Sequence, residues 1–226
     1  MKRDFAILFD MDGTLLQTEK LSTPAFQQTF EQLREQDLWN GSTPDEQAFV
    51  NVLGMTTEEV WHTLLPGADE KTRKTADRFL LENEIRLIKA RATDLYPGVR
   101  ETLQHLHTRG IRLFVVSNGR EKYIEMICDE YEIKSFFTDL YSAGRFETRS
   151  KNDLVAKLLR DYQIKQAVMV GDRQSDMEAG MCNGLFTIGC DFGFASEGEL
   201  EGADVVIDDF RALLDHLPST YNPPAT

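Results

Sequence analysis

The sequence predicts an α/β protein in which a doubly wound parallel sheet carries an inserted α-helical segment. Short apolar runs of β-prone residues recur along the chain, and segments with helical periodicity separate most of them. One long interval after the first run shows helical patterns alone. Strands that alternate with helices of this length are typical of right-handed βαβ crossovers, so we expect the strands to lie parallel.

The predicted strands are apolar runs that are each followed by turn or acidic residues. They are residues 5–9, 111–116, 137–141, 167–170, 185–188 and 205–207. The predicted helices between them are residues 99–108, 123–131, 154–162 and 176–182. A sheet built from these elements needs helices on both of its faces.

The inserted segment runs from about residue 15 to about residue 95 and contains no convincing strand pattern. Turn residues break it at Asn40-Gly41, Gly54 and Pro66-Gly67. Because a simple crossover is far shorter, we predict a core of residues 1–15 and 96–217 and a helical domain of residues 16–95. Hinges are expected at residues 15–18 and 95–98, and the proline-containing residues 218–226 are expected to form a loose tail.

Composition and charge exclude several classes of protein. The 226 residues include 41% hydrophobic and 28% charged residues, as in ordinary globular proteins. The 38 acidic and 25 basic residues give a net charge of -13, which would repel a phosphate backbone, so nucleic-acid binding is not expected. Charged residues interrupt every apolar run well before the ~18 residues that a membrane span needs. The first apolar run is too short for a signal peptide, so a cytoplasmic protein without membrane contact is expected.

The cysteines and the helical segment carry weaker signals. Cys128, Cys182 and Cys190 lack the paired spacing of a disulfide or zinc site, so free thiols are predicted. Residues 71–91 contain more basic than acidic side chains, which could be a solvated helix face or a surface that attracts an anionic substrate.

Polar residues at the ends of the predicted strands form the candidate site, because ligands of an open α/β sheet bind beyond the carboxyl ends of its strands. The first strand ends in Asp10-Met11-Asp12-Gly13-Thr14, the second in Ser117-Asn118-Gly119, and the fourth in Gly171-Asp172, with Asp176 close behind. Lys151 opens the helix before the fourth strand, where Ser150 and Asp153 match an S-x-x-D capping pair.

The clustered carboxylates predict a metal site. Those of Asp10, Asp12, Asp172 and Asp176 would repel one another by several kcal/mol at low dielectric, so the site needs a hard divalent cation. Mg²⁺ fits best, since it takes oxygen ligands and is commonly completed by a phosphate. The ammonium of Lys151 and the hydroxyl of Ser117 suit an anionic group beside that metal.

This set of motifs resembles the haloacid dehalogenase superfamily, specifically its Mg²⁺-dependent phosphatases with a helical cap after the first strand. The similarity rests on residues 10–14, 116–118, 151 and 171–176 and extends to about Leu217. It implies a Rossmann-like core, an α-helical cap domain and a small phosphorylated substrate. Residues 54–59 resemble the substrate-facing loop of the cap in this family, although Thr57 could equally be a helix N-cap.

The same resemblance implies a role for each site residue. Asp10 would be the nucleophile that forms an aspartyl-phosphate, and Asp12 the general acid and base. The implied Mg²⁺ ligands are Asp10, the backbone carbonyl of Asp12, Asp172, and Asp176 as a ligand or a support. Ser117, Asn118 and Lys151 would hold the phosphoryl oxygens. The stretch around Lys151 lacks the glycine and prolines common in relatives, which leaves Arg145 and Arg149 as alternative cations.

Three functions stay open from the sequence. The leading interpretation is a phosphatase of the phosphoglycolate phosphatase-like group. A β-phosphoglucomutase-like phosphotransferase would instead pass the phosphoryl group to a sugar hydroxyl. A non-catalytic phosphoaspartate signalling module also uses carboxylates, a hydroxyl and a lysine around Mg²⁺, but it would not need the helical segment. The sequence does not predict an oligomeric state.

Overall fold

The computed structural model describes residues 5–193, 195 and 198–217, and the predicted tail at residues 218–226 lies outside them. The strands are β1 (Phe5–Phe9), β2 (Arg112–Ser117), β3 (Asp139–Ser142), β4 (Gln166–Gly171), β5 (Phe186–Cys190) and β6 (Val205–Ile207). They pair in parallel in the order β3-β2-β1-β4-β5-β6, which is the order of a Rossmann-like sheet. The predicted fold class is confirmed.

The helices before β2 are α1 (Glu19–Glu35), α2 (Glu46–Asn51), α3 (Thr57–Leu64), α4 (Glu70–Lys89) and α5 (Val99–Thr108). Those after it are α6 (Glu121–Glu130), α7 (Ala143–Phe146), α8 (Lys151–Asp161), α9 (Gln174–Cys182) and α10 (Leu213–His216). The prediction for α5 has the observed bounds, whereas those for α6, α8 and α9 begin late. Their first turns are polar and therefore carry no apolar periodicity.

The sheet is buried on both faces, as expected for parallel strands. Alternate residues of β1 enter different apolar clusters: Ile7 and Phe9 pack on the face covered by α5 and α6, and Ala6 and Leu8 on the face covered by α8. This packing holds the ends of β1, β2 and β4 at one edge, where the polar residues collect.

Helices α1 to α4 pack around an apolar cluster of their own. Its aromatic members include Phe26 and Phe49, whose stacked rings lie 4.9 Å apart, and Trp61. All residues from 15 to 95 are described, and they contain no strand. The N-cap of α3 is Thr56, which forms a capping box with Glu59, so the expectation of Thr57 as a cap is wrong. Both residues are threonines, and only the geometry separates them.

Two linkers join this helical segment to the sheet side by side. Leu16 forms an antiparallel bridge with Leu95. The backbone amide of Gln17 donates to the carbonyl of Asp94 at 2.9 Å, and that of Tyr96 to the carbonyl of Leu15 at 3.0 Å. The chain therefore leaves and rejoins the core at neighbouring points.

Two further expectations concern thiols and membranes. The structure describes all the cysteines, and each is free, with Cys128 and Cys190 buried and Cys182 exposed. The prediction of free thiols is confirmed. Within the described ranges, no helix combines the length and apolar character required to cross a bilayer.

Candidate active site

Three carboxylates meet beyond the ends of β1 and β4. Asp10, Asp172 and Asp176 each place an oxygen within 4.8 Å of the other two, and all three side chains are buried. Asp10 Oδ2 and Asp172 Oδ2 have no hydrogen-bond partner among the described residues, while Asp172 Oδ1 accepts from the Thr14 hydroxyl at 3.0 Å. Arg173 Nε lies 3.7 Å from Asp172 Oδ2, too far for a hydrogen bond, and buried carboxylate oxygens without a hydrogen-bond donor are costly. This all-oxygen donor set therefore fits a divalent cation such as Mg²⁺.

Glycines allow these carboxylates to come close to the backbone. Gly13 has φ +78°, and a Cβ atom there would lie 2.2 Å from Asp172 Oδ2. A Cβ atom at Gly171 would lie 2.2 Å from Cγ of Asp176. The turn after β1 and the end of β4 therefore have no room for larger side chains.

Lys151 is the cation that reaches the cluster. Its buried Nζ donates to Asp10 Oδ1 at 2.8 Å and to Asp176 Oδ1 at 2.6 Å. Burial would lower the pKa of Lys151, but the two carboxylates outweigh burial and raise it above its usual value. The predicted N-terminal capping pair of α8 is confirmed, because Ser150 Oγ accepts from the backbone amide of Asp153 at 3.1 Å. Ser150 is therefore the N-cap, and α8 begins at Lys151.

The alternative cations lie elsewhere. Arg145 Nη1 donates to Asp139 Oδ1 at 2.9 Å, at the start of β3. Arg149 is exposed beside a cleft that Lys151 also lines. The geometry therefore favours Lys151 as the partner of Asp10.

The carboxylates shift one another's protonation equilibria. Burial and the nearby Asp10 carboxylate raise the pKa of Asp172 well above its usual value. Burial also raises the pKa of Asp176 to about 7, against the effect of Lys151. Such shifts mark buried carboxylates whose mutual repulsion Lys151 offsets only in part.

Asp12 directs its carboxylate away from this cluster. Its Oδ1 accepts from the hydroxyls of Thr18 and Tyr123, both at 2.7 Å. Burial and the Asp10 carboxylate raise the pKa of Asp12, so the protonated form persists to higher pH than for an ordinary aspartate. A carboxyl group with a raised pKa is suited to donating a proton.

Ser117 and Asn118 follow one another at the end of β2 but make different contacts. Ser117 is buried, and its Oγ accepts from the amide of Gly119 at 3.0 Å. The side-chain amide of Asn118 donates to the carbonyl of Gly54 at 2.8 Å, between α2 and α3. This side chain thus ties the core to the helical segment, and its part in phosphate binding stays a prediction.

Two residues near Asp12 belong to the candidate site although no sequence motif predicts them. Tyr123 donates to Asp12, and Arg120 lines the same cleft. Arg120 donates to the Asp77 carboxylate and to Glu84 Oε2, the latter at 2.5 Å. Burial raises the pKa of Glu84 to about 7, although the guanidinium opposes this shift. Asp77 and Glu84 are seven positions apart on α4 and so share one helix face. This spacing is the one feature of the sequence that could have indicated their common partner.

The basic side chains of residues 71–91 lie outside the cleft beside Asp12, and several of them pair at the surface. Arg78 pairs with Glu82, Arg86 Nη2 donates to Gln28 Oε1, and Arg91 pairs with Glu130. Two of the three acids in this stretch, Asp77 and Glu84, line the cleft beside Asp12, and none of its basic side chains does. The geometry favours the solvated-face interpretation of this stretch.

Comparisons with known proteins agree with this architecture. A family model described as "Haloacid dehalogenase-like hydrolase" matches residues 7–190. A curated relative, "Phosphoglycolate phosphatase" from Aliivibrio fischeri, is 26% identical over 92% of this chain and 94% of its own length. Among solved structures, a predicted phosphoglycolate phosphatase from Haemophilus somnus 129pt superposes with a TM-score of 0.80 at 22% identity, over 95% of this chain and 98% of its own. CbbY from Rhodobacter sphaeroides in complex with phosphate gives 0.78 at 25% identity, over 92% and 95%.

Proposed function

The chain belongs to the haloacid dehalogenase-like hydrolase family, and from this premise we propose that it is a Mg²⁺-dependent phosphatase of small phosphate monoesters. The observation that carries the proposal is the environment of Asp10. One of its buried oxygens is held by Lys151, and the other has no hydrogen-bond donor in the described part of the chain. A carboxylate that is oriented and still accessible to an incoming group is what a covalent mechanism requires.

The first half-reaction joins Asp10 to the phosphoryl group. A carboxylate oxygen of Asp10 attacks phosphorus and forms an aspartyl-phosphate as the ester P–O bond breaks. Asp12 gives its proton to the departing oxygen, which leaves as an alcohol. Lys151, which donates to Asp10, and Ser117, at the end of the neighbouring strand β2, hold the phosphoryl oxygens.

The second half-reaction returns the enzyme to its starting state. Asp12, now a carboxylate, accepts a proton from a water molecule that attacks the aspartyl-phosphate. The P–O bond to Asp10 breaks, inorganic phosphate leaves, and Asp12 is protonated again. Thr18 and Tyr123, which donate to Oδ1 of Asp12, keep the carboxyl group oriented during both steps.

The metal ligands in this proposal are Asp10, the backbone carbonyl of Asp12, and Asp172, with Asp176 as a ligand or a support. When bound, Mg²⁺ supplies positive charge that lets an anionic carboxylate approach an anionic phosphate. Asp176 also anchors Lys151, so it contributes to the site even where it does not touch the metal.

We also propose that residues 16–95 form a cap over this site. Asn118 bonds to the carbonyl of Gly54, and Nη2 of Arg173 donates to the carbonyl of Val50 at 3.2 Å. Arg120 reaches Asp77 on α4. Such a cover would exclude bulk water from the aspartyl-phosphate.

A screen of phosphorylated metabolites and p-nitrophenyl phosphate tests the proposal. We expect inorganic phosphate to be released with Mg²⁺ and without any sugar acceptor, which separates hydrolysis from transfer to a sugar hydroxyl. EDTA and Asp10→Asn should each lower the rate by about 10³-fold or more. Asp215→Asn, on the exposed face of α10, is the matched control and should keep the wild-type rate. An undiminished rate with Asp10→Asn would refute the covalent mechanism.

A further inference from the structure

A cleft lies between the core and the helical segment, with Asp12 in its wall. Its apolar side includes Leu21, Phe26, Trp61 and Leu80, and it encloses about 590 Å³ of empty space, counting the part open to solvent. Because Asp12 faces the cleft, the proposed mechanism would place the group that departs from the phosphate there.

In the described part of the chain, acidic side chains outnumber basic ones in the wall of the cleft. Among its described lining residues, the acids are Asp12, Asp77 and Glu84, and Arg120 is the only cation. That guanidinium is already committed, because it binds both Asp77 and Glu84. The side chains of Arg120 and Glu84 are 18% and 13% exposed, so water screens these charges incompletely. Asp12 is protonated when it acts as the acid, so the charges of Asp77 and Glu84 exceed that of Arg120 once Glu84, whose pKa is about 7, is ionised. These carboxylates also offer hydrogen-bond acceptors to the occupant of the cleft.

Ser22 supplies a second, independent feature. Its side chain lines the cleft, only 3% of the residue is exposed, and its Oγ has no partner within residues 5–193, 195 and 198–217. A buried hydroxyl without a partner is rare, and it marks a place for a hydrogen-bonding group of a ligand. Ser22 Oγ can both donate to and accept from a hydroxyl of the occupant.

We propose that the cleft selects phosphate esters whose leaving group is uncharged and carries hydroxyls, as in a polyol or a sugar, and rejects leaving groups that carry a carboxylate. This inference rests on the proposed phosphatase function. A hydroxyl can donate to Asp77 or Glu84 and pair with Ser22, while the apolar wall covers its carbon chain. A carboxylate would meet like charge, and the guanidinium beside it, that of Arg120, already pairs with two carboxylates.

The relatives named phosphoglycolate phosphatase make the distinction sharp, because phosphoglycolate carries a carboxylate beside its ester. The matched substrates are 2-phosphoglycolate and 2-hydroxyethyl phosphate, in which a hydroxymethyl group replaces that carboxylate. With the wild-type enzyme and Mg²⁺, we expect kcat/KM for 2-hydroxyethyl phosphate to be at least about tenfold higher.

Substitutions of Asp77 and Glu84 test whether their charges cause the selectivity. Asp77→Asn and Glu84→Gln each remove a negative charge and loosen the hold on Arg120, so each should raise kcat/KM for 2-phosphoglycolate about three- to tenfold. Glu82→Gln is the control on the same helix, since Glu82 pairs with Arg78 at the surface and should leave the ratio unchanged. Turnover of p-nitrophenyl phosphate reports whether each variant is folded.

The outcomes separate the selectivity from the activity. If the wild type hydrolyses p-nitrophenyl phosphate but prefers 2-phosphoglycolate, the selectivity proposal is overturned and the phosphatase stands. If the Asp77 and Glu84 variants are active and keep the wild-type ratio of kcat/KM for the two esters, these acids do not determine the selectivity, and the proposal is overturned. If the wild type hydrolyses none of the three esters, the proposed function falls, and the selectivity falls with it.

Discussion

Replacing Gly13 by alanine tests whether the turn after β1 is shaped to bring Asp172 against it. A Cβ atom there would lie 2.2 Å from Asp172 Oδ2 and 2.6 Å from its Cγ. Asp172 is fully buried, so it can move only by displacing its neighbours. Gly67 is the matched control, because its φ of +81° is close to the +78° of Gly13 and an added Cβ would meet nothing within 4 Å.

The two substitutions share one cost and differ in another. The left-handed backbone costs alanine about 1–2 kcal/mol at either position. At Gly13, the displaced Asp172 also loses its hydrogen bond from Thr14, about 1 kcal/mol net, and is forced from its rotamer, about 0.5–1.5 kcal/mol. Gly13→Ala should therefore reduce the free energy of unfolding by about 2 kcal/mol more than Gly67→Ala. A carboxylate shifted by ~1 Å should also slow turnover by about 10²-fold.

Urea unfolding at fixed Mg²⁺ and hydrolysis of p-nitrophenyl phosphate measure both effects. Gly67→Ala should lose the backbone cost alone and keep its turnover. Gly13→Ala should lose more stability and most of its activity. Equal behaviour of the two variants in both assays would refute the assignment of Asp172 to a crowded catalytic site.

Three further predictions follow from other contacts. Asp12→Asn should slow hydrolysis of alkyl phosphates about 10²- to 10⁴-fold and that of p-nitrophenyl phosphate much less, because nitrophenolate departs without a proton; equal losses in steady-state rates would argue against the acid role. Lys151→Met leaves Asp10 and Asp176 without their buried partner, so in EDTA it should lower the unfolding free energy by about 3–5 kcal/mol, and by less in Mg²⁺; unchanged urea curves in EDTA would contradict this. Because the pKa of Glu84 is about 7, lowering the pH from about 8 to about 6 should protonate Glu84 and raise the ratio of kcat/KM for 2-phosphoglycolate to that for 2-hydroxyethyl phosphate. The carboxylate of 2-phosphoglycolate shifts the titration of its own phosphate, so the same pH series with Glu84→Gln is the reference, and a rise that is equally large in that variant would assign the effect to another group.

The sheet and its acidic edge could be predicted because both are local properties of the sequence. An apolar run followed by a carboxylate specifies a buried strand and the residue that ends it, as at Phe9 and Asp10. Parallel pairing then brings distant strand ends together, so Asp10, Asp172 and Lys151 meet although they are far apart in the chain. The capping pair at Ser150 fixes where α8 begins, and thus where Lys151 stands.

The cleft could not be predicted because its charges meet across separately folded elements. Asp77 lies in a stretch with a basic majority. The seven-residue spacing of Asp77 and Glu84 places them on one helix face, but it does not show that this face meets Arg120. Arg120 follows a turn whose residues are ordinary turn formers. Its pairing with Asp77 depends on how α4 packs against the core, which is a matter of tertiary structure. Asn118 likewise lies where the sequence predicts it, but its side chain bonds to Gly54.

The paired linkers close the helical segment into a loop whose ends meet beside β1. Leu16 and Leu95 are bridged, and Gln17 and Asp94 are hydrogen-bonded. For a flexible loop, each doubling of length adds only about 0.6 kcal/mol to the cost of bringing its ends together. The cost of closing this loop therefore changes little with the number of residues between the linkers. The sheet can keep its acidic edge while the inserted segment grows or shrinks.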